Sequence, residues 1–339
     1  MRFMIIVVLA LAAVLALLAG FTVYQSRQIE ARFPPIGTFH EVDGVRMHAV
    51  HVPAGPEADL PPLVFLHGAS GNLRDQLVAF GDPLKGRAEM LFVDRPGHGY
   101  SERGNASNSN PDGQADMVAG LMAKLGIDNA IIVAHSFGSA IAASFALQYP
   151  ERTGGLLFLA PATHPWPGGV AWFYSIARAP VIGPLFSSVV ALPVGMSRID
   201  SSAACVFAPN PMPADYVELT APQLVLRPRA FRANSTDVAN LKDYVGRISP
   251  RYPEITARAV VITGNRDEIV LPEIHSRGLE RDLPNVELVE VNNLGHKPDY
   301  IARDIAIAAI EKLAGGQADL QAMARALEER IADDAEICG

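Results

Sequence analysis

Short apolar runs, each closed by a turn, constrain this chain more than any other feature. "PLVFLH" (62–67), "AEMLFVD" (88–94), "AIIVAH" (130–135), "GLLFLA" (155–160), "AVVITG" (259–264) and "NVELVEV" (285–291) all read as strands. Helical spacing occupies 112–125, 137–149 and 298–314 in the intervals. Strands that are apolar along their length and alternate with helices predict a parallel sheet covered on both faces. "GTFHEVDGVRMHAVHV" (37–52) adds two strands around the turn Asp43-Gly44. In sheets of this kind, ligands sit beyond the carboxyl ends of the strands.

The alternation breaks once. Residues 163–250 hold many prolines, both tryptophans (Trp166 and Trp172) and pieces of helical character, and the strand pattern resumes at Ala259. This stretch reads as a mostly helical cap inserted over the sheet. Near the C-terminus, Leu320, Met323, Leu327 and Ile331 form one helical stripe that is expected to pack on the domain. The expected organisation is an anchor at 1–25 and a linker at 26–36. A core at 37–162 and 251–314, the cap at 163–250, and a C-terminal helix and tail at 315–339 follow.

The anchor rests on "FMIIVVLALAAVLALLAGFTV", residues 3–23, with no charge between Arg2 and Arg27. At about 1.5 Å per residue, such a helix covers roughly the ~30 Å hydrocarbon core of a bilayer. A cleaved signal peptide is the competing reading. It has a shorter apolar core and a small-x-small cleavage site, which is not evident here. The short basic tail favours an outward, periplasm-like catalytic domain, with secretion after cleavage as the alternative.

A net charge of −8 argues against nucleic acid as a partner. Cys205 and Cys338 lie far apart, with no metal-ligand spacing around them. No zinc site and no disulfide framework are expected, and two unpaired thiols are the favoured reading.

The chemistry centres on "AHSFGSA", 134–140, between the strand 130–135 and the helix 137–149. A serine in a sharp strand-to-helix turn needs small residues two before and two after it. Here these are Ala134 and Gly138. The start of the following helix makes the Phe137 N–H one oxyanion donor. The loop "HGASGN", 67–72, offers the Ala69 N–H as the second, with His67 organising the loop by hydrogen bonds. An acid and a base should follow the nucleophile in chain order. Asp267 in "TGNRDEIV" follows the strand 259–264, and His296 in "NNLGHKPDY" follows the strand 285–291. Glu268 points elsewhere, and Asp94 reads as structural. His98, His135, His164 and His275 read as non-catalytic.

Taken in order, HG, DRPGHGYSER, AHSFGSA, TGNRD and LGH resemble the α/β-hydrolase superfamily in its capped branch, over roughly residues 37–314. The resemblance implies an eight-stranded, mostly parallel sheet and a Ser–His–Asp mechanism. DRPGHGYS is similar to epoxide hydrolases and haloalkane dehalogenases, which carry an aspartate where this chain has Ser136. The elbow departs from the GGSWG of proline iminopeptidases and the NSMGG of carbon–carbon bond hydrolases.

The function expected is hydrolysis of a small carboxylic ester by Ser136, His296 and Asp267, with no metal or organic cofactor needed. The same triad serves amide, thioester or lactone hydrolysis, carbon–carbon cleavage and perhydrolase chemistry. A binding protein on this fold is the non-enzymatic alternative.

Overall fold

Strands β1 (Thr38–Val42), β2 (Val45–Val52), β3 (Leu63–Leu66), β4 (Met90–Val93), β5 (Ala130–His135), β6 (Thr153–Leu159), β7 (Ala259–Gly264) and β8 (Val286–Val291) form one sheet. This is a computed structural model, and it describes residues 1–338. The strand order is β1-β2-β4-β3-β5-β6-β7-β8. The β1–β2 and β2–β4 pairs are antiparallel, and every later pair is parallel.

The continuous apolarity of the strands follows from cover on both sides. Val64, Leu66, Leu91, Val93, Ile132, Ala134 and Val261 belong to one buried cluster. Their neighbours Leu63, Phe65, Met90, Phe92, Ile131, Val133 and Ile262 belong to the other. The period of two along each strand thus feeds two cores. Each fully buried large apolar side chain contributes about 1.5–3 kcal/mol by transfer from water.

The core helices are α2 (Leu73–Phe80), α3 (Pro111–Leu125) and α4 (Phe137–Gln148). The helix α4 is buried from Phe137 to Ala146, as its apolarity on all sides requires. The cap supplies α5 (Trp172–Arg178), α6 (Ile182–Phe186), α7 (Leu192–Met196), α8 (Ile199–Phe207), α9 (Tyr216–Thr220) and α10 (Pro228–Ile248), after a first helix, α1, described below. The core resumes with α11 (Ser276–Asp282), α12 (Pro298–Ile301), α13 (Arg303–Leu313) and α14 (Leu320–Ile331). The pattern over 298–314 is therefore two helices with a break at Ala302, which helical spacing alone does not register. Leu320, Leu327 and Ile331 of α14 are buried in the sheet's second core, together with Ala324.

The N-terminal helix α1 runs from Arg2 to Arg32 without interruption. The stretch expected as a linker is thus helical up to Arg32. The cause is contact: Ile29 and Phe33 pack with Leu192, Leu224 and Leu226 of the cap. Glu30 pairs with Arg227 at 2.9 Å, and Arg32 pairs with Glu218. In contrast, residues 3–14 are exposed throughout. An apolar surface of that size does not persist in water.

The thiols are not free. Cys205 at the end of α8 and Cys338 in the C-terminal tail form a disulfide, with Cα atoms 4.6 Å apart across 133 residues of sequence. Two cysteines so distant carry no spacing signal. They meet because α14 returns the tail along β8 to the cap.

Candidate active site

The turn at Ser136 is strained, with φ +53° and ψ −118°. A side chain in that region costs on the order of 1–3 kcal/mol and persists only when its surroundings hold it. Here Ser136 N–H donates to Leu159 O at 2.9 Å, and Ser136 O accepts from Ala162 N–H at 3.1 Å. A Cβ at Gly138 would stand 2.4 Å from Leu66 O, so only glycine lets α4 approach β3. Ala134, where the elbow motif has glycine, is fully buried.

Ser136, Asp267 and His296 follow β5, β7 and β8, and the structure brings them into contact. Ser136 Oγ–H donates to His296 Nε2 at 3.0 Å. His296 Nδ1–H donates to Asp267 Oδ2 at 2.6 Å. The other carboxylate oxygen, Oδ1, accepts from Ile269 N–H at 2.9 Å and Val270 N–H at 2.8 Å. All three residues are buried, and Glu268 is exposed. An imidazole whose far nitrogen donates to a carboxylate can take a hydroxyl proton, because the carboxylate stabilises the imidazolium that results.

The loop after β3 lies against this serine. A Cβ on Gly68 would come within 3.1 Å of Ser136 Cβ. Ala69 is next in the chain, and Phe137 is the first residue of α4, whose N–H has no intrahelical acceptor. His67 Nδ1–H donates to Gly68 O at 2.8 Å, and Nε2 accepts from Arg95 N–H at 3.2 Å. Burial, reinforced by Arg95, pushes the His67 pKa down to about 3, so the ring stays neutral and keeps both bonds.

The family model for the alpha/beta hydrolase fold matches residues 61–298. The chain belongs to the α/β-hydrolase family. A 2-hydroxy-6-oxononadienedioate/2-hydroxy-6-oxononatrienedioate hydrolase of Burkholderia vietnamiensis is 28% identical, over 74% of this chain and 85% of that protein. Among solved structures, a membrane phospholipase A superposes with a TM-score of 0.62 at 22% identity, covering 93% of this chain and 99% of its own. An enol-lactonase from Burkholderia xenovorans superposes with a TM-score of 0.63 at 18% identity, covering 82% of this chain and 100% of its own. These two superpositions speak for the fold.

Two buried charge clusters support the site of this α/β-hydrolase, and neither has a spacing signal in the sequence. The first grips the loop after β3. Arg95, fully buried, donates from Nη2 to Gly68 O at 3.1 Å, and its guanidinium lies 4.5 Å from the Phe137 ring centroid. Its partner comes from the cap: Asp237 on α10 lies 3.3 Å from Arg95 Nη1 and 2.7 Å from Arg103 Nη1. Burial raises the Asp237 pKa to about 6 against the pull of Arg103 and Arg95. It lowers that of Arg95 to about 10. Both groups are therefore charged at neutral pH. Asn234, one turn earlier on α10, accepts from Ser70 N–H at 2.7 Å and donates to Ser70 Oγ at 3.1 Å. The cap thus holds the loop that carries Ala69.

Asp237→Ala should destabilise the fold by about 3–5 kcal/mol, since it leaves the buried Arg95 and the half-buried Arg103 without their counter-charge. Denaturant unfolding of the variant measures this. A loss below about 1 kcal/mol would show that the pair does not carry the cap's attachment.

The second cluster lies under His296. Lys297, buried, donates to Asp75 Oδ2 and Asp299 Oδ2, each at 2.9 Å. Desolvation opposes its charge, but the Asp299 and Asp75 carboxylates outweigh that and hold its pKa above that of a free lysine. The rings of Phe207, Tyr216 and Tyr300 surround the ammonium at 5.9, 5.6 and 4.8 Å. Asp75, His135 and Asp299 bring metal-competent atoms within 4.8 Å of one another. The Lys297 ammonium already supplies the cation between the carboxylates, so the set does not fit a metal ion.

His135 donates from Nε2 to His296 O at 2.8 Å. Burial and then Lys297 hold it well below the usual imidazole range, and it serves as a neutral strut for the His296 backbone. Asn210 of the cap completes the support. It accepts from Gly295 N–H at 2.9 Å and donates to Asn293 O at 2.9 Å. A Cβ on Gly295 would stand 2.2 Å from Ala208 O, which explains the glycine before His296.

The remaining histidines lie away from the Ser136 hydroxyl. His164 Nε2 is 3.2 Å from Asp282, and His275 Nδ1 accepts from His164 N–H at 3.1 Å. His98 Nε2 meets Arg95 Nη2 at 3.2 Å. Asp94 takes Leu73 N–H and Tyr100 N–H and pairs with His48 at 2.7 Å.

Proposed function

We propose that this α/β-hydrolase is a membrane-anchored serine hydrolase that cleaves carboxylic esters through an acyl-enzyme. The observation that carries this reading is the unbroken Ser136–His296–Asp267 hydrogen-bond chain, set on a strained turn at the head of α4. Ser136 Oγ attacks the ester carbonyl carbon as its proton passes to His296 Nε2. The Ala69 and Phe137 N–H groups hold the resulting oxyanion. His296 returns the proton to the leaving alkoxide, which departs as the alcohol. Water, deprotonated by His296, then attacks the acyl-enzyme and releases the carboxylic acid and free Ser136. The residues 163–250 form the cap over a core built from 37–162 and 251–314. No step needs a metal or organic cofactor, and no nucleic acid is involved.

A second reading has a specific support. The Burkholderia vietnamiensis relative acts on a 2-hydroxy-6-oxo dicarboxylic acid, and the same triad could attack the ketone of such a substrate. One experiment separates the two. The full chain is labelled with a fluorophosphonate and assayed on p-nitrophenyl esters of increasing acyl length and on a 2-hydroxy-6-oxodienoate. Labelling of Ser136 with ester turnover is expected; a dienoate rate above every ester would move the function to carbon–carbon cleavage.

The anchor reading has two supports. Residues 3–14 of α1 are apolar and exposed, and the end of the helix is locked to the cap by Ile29, Phe33 and Glu30. The Cys205–Cys338 bond suits an oxidising compartment, which supports a catalytic domain outside the cytoplasm. The full chain should sediment with membranes, stay there in roughly 1 M salt, where charge attraction is screened within about 3 Å, and be released by detergent. A soluble protein beginning near residue 20 would show instead that the run is a cleaved signal.

A further inference from the structure

The helix α1, the cap and the segment after β4, with Arg46 of β2, wall an open cleft of about 1080 Å³ that does not include Ser136. From α1 come Ala19, Thr22, Val23, Ser26, Arg27 and Glu30. Steps of three and four residues put these on one helix face. Along roughly 16 Å, that face passes from the end of the apolar run to the first charged turn. If α1 spans a bilayer, the cleft straddles the level where hydrocarbon gives way to headgroups.

The rest of the wall carries an excess of arginines among small and uncharged residues. Arg46, Arg103, Arg227, Arg229 and Arg232 join Arg27, against Glu30 and Glu102 among the described lining residues. Arg103 is held by Asp237 and Arg227 by Glu30. Arg27, Arg46, Arg229 and Arg232 have no carboxylate partner among the described residues. Thr22 is 1% exposed, yet its Oγ1 has no hydrogen-bond partner among the described residues. The same holds for Ser26 Oγ and for Arg103 Nη2. Beside the cleft, the cap exposes Trp172, Val181, Ile182, Leu185 and Val194. These flank the turn Ser187–Ala191 that packs on α1. This apolar face suits the cap to lie on the same membrane surface.

We propose that the cleft binds the headgroup of an anionic glycerophospholipid. Its phosphate lies against Arg27, Arg46 and Arg229, and its acyl chains run back along Ala19 and Val23 into the bilayer. Guanidinium groups match phosphate oxygens in bidentate geometry. An unpaired cationic wall selects a net-negative headgroup over a zwitterionic one, whose ammonium it repels. The proposal rests on retention of α1, since that helix forms one wall.

The test uses the full chain in a neutral detergent, with intact mass measured first to establish that residues 1–32 remain. Binding of diether phosphatidylglycerol, which has no ester to cleave, is compared with that of diether phosphatidylcholine. Inorganic phosphate is titrated as the free-anion arm. The lipid phosphatidylglycerol is expected to bind at least about tenfold tighter than phosphatidylcholine. The combined Arg27→Gln, Arg46→Gln and Arg229→Gln variant should lose about fivefold per arginine, on the order of a hundredfold in all. Arg325→Gln with Arg330→Gln, on the exposed side of α14, should change nothing. Equal affinity for the two lipids, or an unchanged affinity in the triple variant, would overturn the proposal. So would inorganic phosphate that binds as tightly as phosphatidylglycerol, since the site would then be one for free phosphate. A mass lacking α1 overturns the anchor reading and the cleft with it, whereas retained α1 without lipid preference overturns the cleft alone.

Discussion

Ser136→Ala is expected to lower kcat by about 10⁶ while leaving the fold intact, the scale of loss seen when a triad nucleophile is removed from subtilisin. The structure explains why the fold should survive. The strained turn is held by backbone bonds, Ser136 N–H to Leu159 O and Ala162 N–H to Ser136 O, which alanine keeps. What alanine removes is the single hydroxyl that His296 Nε2 contacts at 3.0 Å. Single-turnover kinetics on the best ester, beside a thermal unfolding curve, provide the measurement. Near-normal hydrolysis by a folded variant would remove Ser136 from the chemistry altogether.

Asp267→Asn is expected to cost about 10⁴ in kcat, as the equivalent change does in trypsin. The mechanism is a matter of proton placement. An asparagine can still accept the Ile269 and Val270 N–H bonds through its carbonyl oxygen, so the loop is retained. It then turns its NH₂ toward His296 Nδ1. That nitrogen must become an acceptor, the ring proton moves to Nε2, and Nε2 no longer accepts from Ser136. Glu268→Gln, on an exposed side chain one residue on, should change kcat by less than about threefold. A reversed order of effects would reassign the acid to Glu268.

How far the site was legible depends on the kind of signal. Ser136, Asp267 and His296 each follow an apolar strand, and strand-end position is a local property. The supporting residues carry no such mark. Asn234 and Asp237 sit on α10 within "FRANSTD", which reads as an ordinary polar helix face. Their roles arise only because α10 folds back over the loop after β3. Lys297 looks like a solvated lysine beside a proline, yet it is buried between Asp75, more than 200 residues earlier, and Asp299. The free-thiol expectation failed for the same reason, because the partner of Cys205 arrives with the C-terminal tail. The linker expectation at 26–36 failed because the packing of Ile29 and Phe33 on the cap is not visible from one side of the contact.

By itself, then, the sequence determined the doubly covered sheet and the apolar N-terminal helix, and it nominated a cap and the candidate site residues. Each of these is written in local period, in turn chemistry and in the order of strand ends. Only the tertiary structure decided how the cap grips the loops under the site, which charges are buried in pairs, and where the cysteines meet. It alone decided that α1, the cap and the segment after β4 wall a cleft carrying six arginines. Burial and counter-charge depend on what comes to lie opposite a residue, and that partner is set by chain return across tens to hundreds of residues.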